Sequence, residues 1–432
     1  MGFFRKEIWG IPVWVYLAAF LPRLLVLAAF GGNSPYCVTS DSVGYLKLAA
    51  ALSSTGFFGL PGPGGQLVPE TFRTPVYPVF LAVLGRLPGG AVLNAEIAQT
   101  LIGGLTVLFA WKWFCRLAGK RGAAWGTFFF SLDYVYVMHT PLLLAETLLM
   151  LLLLPAAALT WDALRDGSAA KASLAGGLWA LAAFLKPVSM YLPILLAPLF
   201  WKRKKQALLF LLFSFSLQLA WSFRNYERTG YFTYSSIGGV TLLKYSAGSV
   251  EALLTGKSFA ETSTALLAAA DGNYPSDAAR AAAYWKMAMP IIKAHPFLTA
   301  RYILHDFAAT AGGTGIEMLP QALGLKEPGA RGGFGSGTLA LLRAYPLLWA
   351  LEAGYLAFLA GLYILFAAGL KRLWKDGGRL QAAFLFLSVF YLFGIASTNG
   401  YYRYRIPPLL FMSAGAAIAL GERKGREPSF GG

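Results

Sequence analysis

The sequence predicts an all-α polytopic membrane protein with about ten transmembrane helices, within a range of about nine to twelve. Three observations predict it. Of the 432 residues, 57% are hydrophobic, and the mean hydropathy is +0.56. Only 13% are charged, against roughly a quarter in an ordinary soluble domain. Much of the Lys and Arg gathers in short clusters between apolar runs, the usual mark of cytoplasmic loops. The formal charge of +17 is therefore read as membrane topology, with no nucleic-acid partner.

A span needs about 20 apolar residues to cross about 30 Å of hydrocarbon. Candidate runs lie near 8–30, 91–113, 122–139, 142–161, 172–186, 188–201, 206–222, 345–370, 380–398 and 406–421. The first follows Arg5 and Lys6. It is longer than a signal-peptide core and ends in no small-x-small cleavage pattern, so it is read as a retained span. The runs 172–186 and 188–201 are short and read equally as one kinked hairpin around Lys186-Pro187.

Orientation follows from the basic clusters Arg5/Lys6, Lys112/Arg116/Lys120/Arg121, Lys202/Arg203/Lys204/Lys205, Lys371/Arg372/Lys375/Arg379 and Arg423/Lys424/Arg426. A chain of ten spans places all of them, and both termini, in the cytoplasm. Residues 1–222 then form an N-terminal transmembrane module whose first outer loop is 31–90. Residues 223–344 form an extracytoplasmic segment, and 345–432 the C-terminal transmembrane helices. The first loop holds a Gly/Pro-rich turn, GLPGPGG (59–65), and ETFRTPVYP (70–78). The outer segment is Ala-rich, with a helical portion over 276–308 and a Gly-rich loop around 311–337. Cys37 and Cys115 fall on opposite sides of the membrane and are not expected to pair.

Charges near a bilayer are costly, so their placement is informative. In SDSVGYLKLAAAL (40–52), Ser40 is a natural N-cap, and Asp41, Tyr45, Leu48 and Leu52 share one helical face. Arg73 lies in the same loop. Glu96 and Gln99 begin the second span, Asp133 ends the third and Glu146 opens the fourth. Lys186 closes the fifth, Arg224 follows the seventh, and Arg403 and Arg405 precede the last. All fall near the outer face. Such a layer of carboxylates and strong cations suits a phosphate, which Arg binds bidentately. Interleaved rings at Tyr226, Tyr231, Phe232, Tyr401, Tyr402 and Tyr404 suit sugar rings and the headgroup zone. Together they describe a substrate with an apolar tail, a phosphate and a polar head. The plainer alternative is an interfacial belt of Tyr, Trp, Lys and Arg, which accounts for Arg403 and Arg405 equally well. Lys186 reads equally as a snorkelling side chain. Glu146 sits some four residues inside an apolar run, LLLAETLLM, where a solvated cap is harder to argue. His139, His295 and His305 have no metal-ligand spacing and are read as structural or interfacial.

Five motifs in order complete the picture: DSVGYLKLAAAL; FRTPVYPVFLAVL (72–84); the glutamate of LLLAETLLM; AWSFRNYERTGYFTYSSIGGVTLLKY (220–245); and YYRYRIPPLL (401–410). In these the chain resembles the bacterial GT-C membrane glycosyltransferases, the group similar to protein O-mannosyltransferases and aminoarabinose transferases. The resemblance implies a GT-C fold and a lipid-linked donor, usually a polyprenyl-phosphate monosaccharide. It also implies inverting transfer on the outer side of the bacterial cytoplasmic membrane. Asp41 would be the first-loop catalytic acid and Glu146 the second acidic residue. Lys186 stands where many relatives have arginine before proline. A single Asp-Ser stands where some relatives have two adjacent acids, so a divalent cation stays open and no other cofactor is expected.

Inverting transfer needs a base opposite the leaving group, a role for Asp41. The departing phosphate needs charge stabilisation, from Arg403 and Arg405, with Lys186 and Arg224 as further candidates. Tyr45, Arg73, Tyr77, Glu96 and Tyr402 are the expected substrate-binding residues. The partners are the donor lipid, membrane lipids and an acceptor that is protein, lipid or polysaccharide. The rival class is a lipid or polysaccharide transporter or flippase. Its charges would lie at the midplane between inverted repeats, and the sequence has neither.

Overall fold

Each of the ten apolar runs is helical over most of its described residues in the computed structural model, which describes residues 6–32, 35–62, 65–325, 341–396, 398 and 400–422. Arg5, Arg423, Lys424 and Arg426 of the terminal basic clusters, and residues 326–337 of the Gly-rich loop, lie outside the described residues. The chain opens with a hairpin of β1 (Glu7–Ile8) and β2 (Ile11–Pro12), then α1 (Val13–Phe30). The segment to the next span contains α2 (Ser40–Thr55), β3 (Gly59–Pro61), β4 (Leu67–Pro69) and α3 (Val76–Leu84). α4 (Gly90–Leu132), α5 (Tyr134–His139), α6 (Glu146–Asp166) and α7 (Ala169–Leu185) follow. Next come α8 (Leu192–Leu196), between two 3-10 turns, and α9 (Lys204–Thr229).

The next segment holds α10 (Ile237–Val240), a π-helical stretch Thr241–Ala247, α11 (Gly248–Thr255) and α12 (Phe259–Ala269). α13 (Asp277–Ala294), α14 (Pro296–Gly312) and α15 (Met318–Ala322) complete it. The last three helices are α16 (Leu348–Lys375), α17 (Arg379–Ala396) and α18 (Ile406–Leu420).

Among the described residues, five helices, α1, α4, α6, α9 and α16, are long and apolar enough to cross a membrane; α7, residues 187–200 and α17 are apolar but shorter. The runs at 91–113 and 122–139, expected as two spans, lie on α4 and α5, and α4 is itself two helices meeting at a kink between the runs. The kink is at Gly119, whose φ of 71° is open to glycine but strained for other residues. The all-helical expectation also omits the two hairpins. In the second, Gly59 pairs with Pro69 and Pro61 with Leu67.

The centre of the bundle is α18. Every residue from Ile406 to Ile418 is buried. Its sequence, IPPLLFMSAGAAIAL, has no charged face, as a helix enclosed on all sides requires. Small residues let its neighbours come close: a Cβ on Gly369 of α16 would overlap the Gly415 carbonyl, and one on Gly122 of α4 would overlap that of Ala417. Pro407 and Pro408 sit in its first turn, where the missing N–H costs nothing. Arg372 donates to the Ile418 and Gly421 carbonyls at its far end. The 3-10 turn Tyr402–Arg405 thus stands on a rigid central post.

Residues 237–294 build a second small core around Leu243, Ala247, Tyr284 and Ala288. Its tether to the α2–α3 segment is polar. Ser236 N–H donates to Thr71 O at 2.8 Å, and Ser235 Oγ to Phe72 O at 2.7 Å.

Candidate active site

Four charged side chains from distant parts of the chain meet at one end of the bundle. Each is positioned by local chemistry. α2 is capped by Thr39, not by the expected Ser40. The Thr39 side chain accepts from Ser42 N–H, and the Ser42 side chain accepts from Thr39 N–H at 3.0 Å, a reciprocal capping box. The Asp41 carboxylate, in the first turn, is therefore not needed as the cap. Glu146 is the first residue of α6, where the helix dipole favours a carboxylate. Lys186 closes α7. Its φ of −149° is the extended backbone that the following proline imposes. Arg403 lies in the turn above α18.

Arg403 Nη2 donates to Asp41 Oδ2 at 2.8 Å, and its Nε lies 3.9 Å from Glu146 Oε1. Lys186 Nζ donates to that same Glu146 oxygen at 2.5 Å. The result is a chain of alternating charge, Asp41–Arg403–Glu146–Lys186. The Glu146 side chain is 3% exposed, Arg403 16%, Lys186 17% and Asp41 44%. The two cations are thus partly accessible beside the most open carboxylate. Tyr404 stands against both: its ring centre is 5.5 Å from Lys186 Nζ and 5.2 Å from Arg403 Cζ. Such a group can bind an anion through the cations while Asp41 accepts a proton beside it. Among the described residues no three His, Cys, Asp or Glu side chains group to hold a metal. The two carboxylates here are already engaged by cations, so the donor set does not fit one.

No family model matches the chain, and no curated protein matches it. Solved structures do. The archaeal oligosaccharyltransferase AglB from Archaeoglobus fulgidus, in complex with an inhibitory peptide and a dolichol-phosphate, matches with a TM-score of 0.51 at 12% identity. The alignment covers 94% of this chain and 50% of that one. The apo form of that oligosaccharyltransferase gives the same score. ArnT from Cupriavidus metallidurans, bound to undecaprenyl phosphate, gives a TM-score of 0.42 at 15% identity, over 93% of this chain and 77% of that one. This chain has the GT-C fold. It spans about half the length of the oligosaccharyltransferase.

Within the GT-C fold, the other expected site residues divide into two groups. Tyr45 is one helical turn beyond Asp41, and its ring packs edge-on against Tyr77 at 4.8 Å. Burial pushes the Tyr45 hydroxyl upward, and Glu146 and Asp41 reinforce the shift. The Arg73 guanidinium lies 5.3 Å from the Tyr45 ring centre. Tyr77 is fully buried; its hydroxyl donates to Gln99, which in turn donates to the Thr140 and Leu142 carbonyls. Tyr402 exchanges a 2.8 Å hydrogen bond with Tyr401 and lines a cavity of about 300 Å³ with Tyr36, Thr39 and His139.

Three expected residues are held elsewhere. Arg405 is buried, donating to the carbonyls of Thr310, Ala311 and Gly313 and to the Tyr355 hydroxyl, which itself donates to Asp133. It pins the turn that carries Arg403 instead of facing Asp41. Arg224 donates to the carbonyls of Glu70 and Phe58 and stacks on Trp221, tying α9 to β3 and β4. Glu96 is fully buried and accepts from Gly32 N–H at 2.7 Å, fastening the end of α1.

Sequence reasoning left out Arg23 and read His139 as structural or interfacial. His139 is buried near Glu146 and Tyr402, with Nδ1 2.8 Å from Val135 O. Arg23, fully buried in α1, donates to Ser131 O and faces the Tyr136 ring. An arginine in the middle of an apolar run was the available signal for it.

Proposed function

We propose that the protein is an inverting glycosyltransferase that moves a monosaccharide from a polyprenyl-phosphate donor to an acceptor hydroxyl. The reaction takes place at the outer face of the bacterial cytoplasmic membrane. The carrying observation is the convergence of Asp41, Arg403, Glu146 and Lys186, drawn from four separate elements. The dolichol-phosphate in the AglB complex supports a polyprenyl-phosphate donor on the shared fold. The basic cluster Lys202–Lys205, at the opposite end of α9 from Arg224, supports the outer placement.

Arg403 and Lys186 would hold the donor phosphate, with Glu146 keeping both in place. The acceptor oxygen attacks the anomeric carbon from the side away from the phosphate. Asp41 takes its proton as the new bond forms. The anomeric C–O bond breaks, and its electron pair leaves with the polyprenyl phosphate, whose growing charge the two cations stabilise. Asp41 suits the base role because it is the most open of the four and so faces an arriving acceptor.

The test is Asp41→Asn, assayed as release of free polyprenyl phosphate from an extracted polyprenyl-phospho-sugar pool by detergent-purified protein. Loss of the base should lower the rate by roughly 10²–10⁴-fold while membrane insertion is unchanged. Near-normal turnover in the variant would remove Asp41 from the chemistry.

A further inference from the structure

A polar cleft of about 700 Å³ opens between the β3–β4 hairpin and the start of α13. A second cavity of about 380 Å³ adjoins it; Leu60, Glu70, Asp277, Arg280 and Tyr284 line both. The second cavity is also lined by Arg73. The Arg73 guanidinium presses on Gly44, where any Cβ would overlap it, and lies over the Tyr45 ring. Gly44 and Tyr45 are three and four residues from Asp41 on the same helix. Arg73 thus reaches from the second cavity to α2, within one helical turn of the candidate base.

The walls come from two parts of the chain: the hairpin supplies Gln66 and Glu70, and the α12–α13 connection supplies Asp271, Asn273 and Tyr274. Carboxylates and amides are the groups that hydrogen-bond hydroxyls, and tyrosine rings offer flat apolar faces with a polar tip. Three carboxylates against two guanidiniums give no net attraction for an anion. Asp277 is moreover already paired with Arg280 at 2.5 Å. The volume falls in the roughly 300–1,000 Å³ range of small-molecule sites.

Resting on the transferase reading above, we propose that this cleft seats a neutral saccharide acceptor. Transfer then goes to a sugar hydroxyl rather than to a phospholipid headgroup or a peptide side chain.

The experiment reads binding without requiring turnover. A neutral hexose trisaccharide is titrated against the full-length protein in detergent, with saturation-transfer NMR as the signal. The titration is repeated with Asp271→Asn/Asn273→Ala and with Gln66→Ala on the opposite wall, after checking that unfolding temperatures match the wild type. Binding by the wild type, weakened about tenfold in the double variant, is the expected result. No binding by the wild type, or equal binding by both variants, overturns the proposal. Stronger competition by a phosphorylated saccharide, phosphatidylglycerol or a Thr-rich peptide than by unlabelled trisaccharide also overturns it. Wild-type turnover of polyprenyl-phospho-sugar is measured separately. Its absence, with saccharide binding intact and weakened by the variants, counts against the transfer reaction and leaves the saccharide site standing.

Discussion

Replacing Glu146 and Lys186 by glutamine, singly and together, measures how firmly the candidate site is held. Their charged atoms are 2.5 Å apart, and the two side chains are 3% and 17% exposed. At an effective dielectric of about 20, the bare attraction at that distance is about 7 kcal/mol. Most of it is offset by the loss of hydration of two buried ions. The net worth of a hydrogen bond between charged partners is nearer 1.5–3 kcal/mol. Glu146 also faces Arg403 at 3.9 Å, so its loss takes the carboxylate from Lys186 and leaves Arg403 with Asp41 alone, whereas losing Lys186 leaves Glu146 with Arg403.

Glu146→Gln should therefore cost about 3–5 kcal/mol and Lys186→Gln about 2–3 kcal/mol. The double variant should cost less than their sum by about 2 kcal/mol. Denaturant unfolding in a fixed detergent supplies all four values of the cycle. Additivity within about 0.5 kcal/mol would show that the pair is not coupled and that the four-charge arrangement is not a unit.

Three other perturbations probe the supports of the site. Thr39→Ala removes the reciprocal cap of α2 and should cost about 1 kcal/mol in unfolding free energy; hydrogen exchange should speed up in the first turn of α2 and not at its end. Arg405→Lys keeps the charge but cannot serve three carbonyls and Tyr355 at once; a loss of about 2 kcal/mol or more is expected in denaturant unfolding. Burial raises the Glu70 carboxyl above its ordinary range, and the Arg73 and Phe72 amides only partly oppose this. The folded chain thus keeps the proton to higher pH than the unfolded chain. Stability from this group is full below the unfolded value and is lost as pH rises through the folded one. Glu70→Gln should flatten that part of the stability profile in pH-dependent thermal scans, and an unchanged profile would contradict the assignment.

The helices were legible because membrane spans are long apolar runs, and length with hydropathy nearly suffices to find them. The break at Gly119 falls in the gap between the runs 91–113 and 122–139, so the separation was legible, though not the residue at which the chain turns. Asp41 and Glu146 stood out as carboxylates beside apolar sequence, and Lys186 through its proline. Their meeting could not be read from spacing: Asp41 and Arg403 are 362 residues apart. The two arginines of YYRYR illustrate the limit most clearly. They are two positions apart in one short turn, yet one faces Asp41 and the other faces the carbonyls of α14. Sequence treats them alike, whereas the packing of α14 and α16 around the turn separates them. The capping of α2 by Thr39 was hidden for a simpler reason: adjacent Thr and Ser are equally good caps, and only the backbone decides between them.

The balance of the four charges carries a consequence of its own. Two carboxylates and two cations cancel, so the cluster exerts little pull on a passing anion from afar. Any negative headgroup that takes hold of Arg403 does so in competition with Asp41, and each step of that exchange loosens the acid's grip on its guanidinium. On the proposed reading, the carboxylate is then freest when the anion is already in place, and until then the guanidinium restrains it.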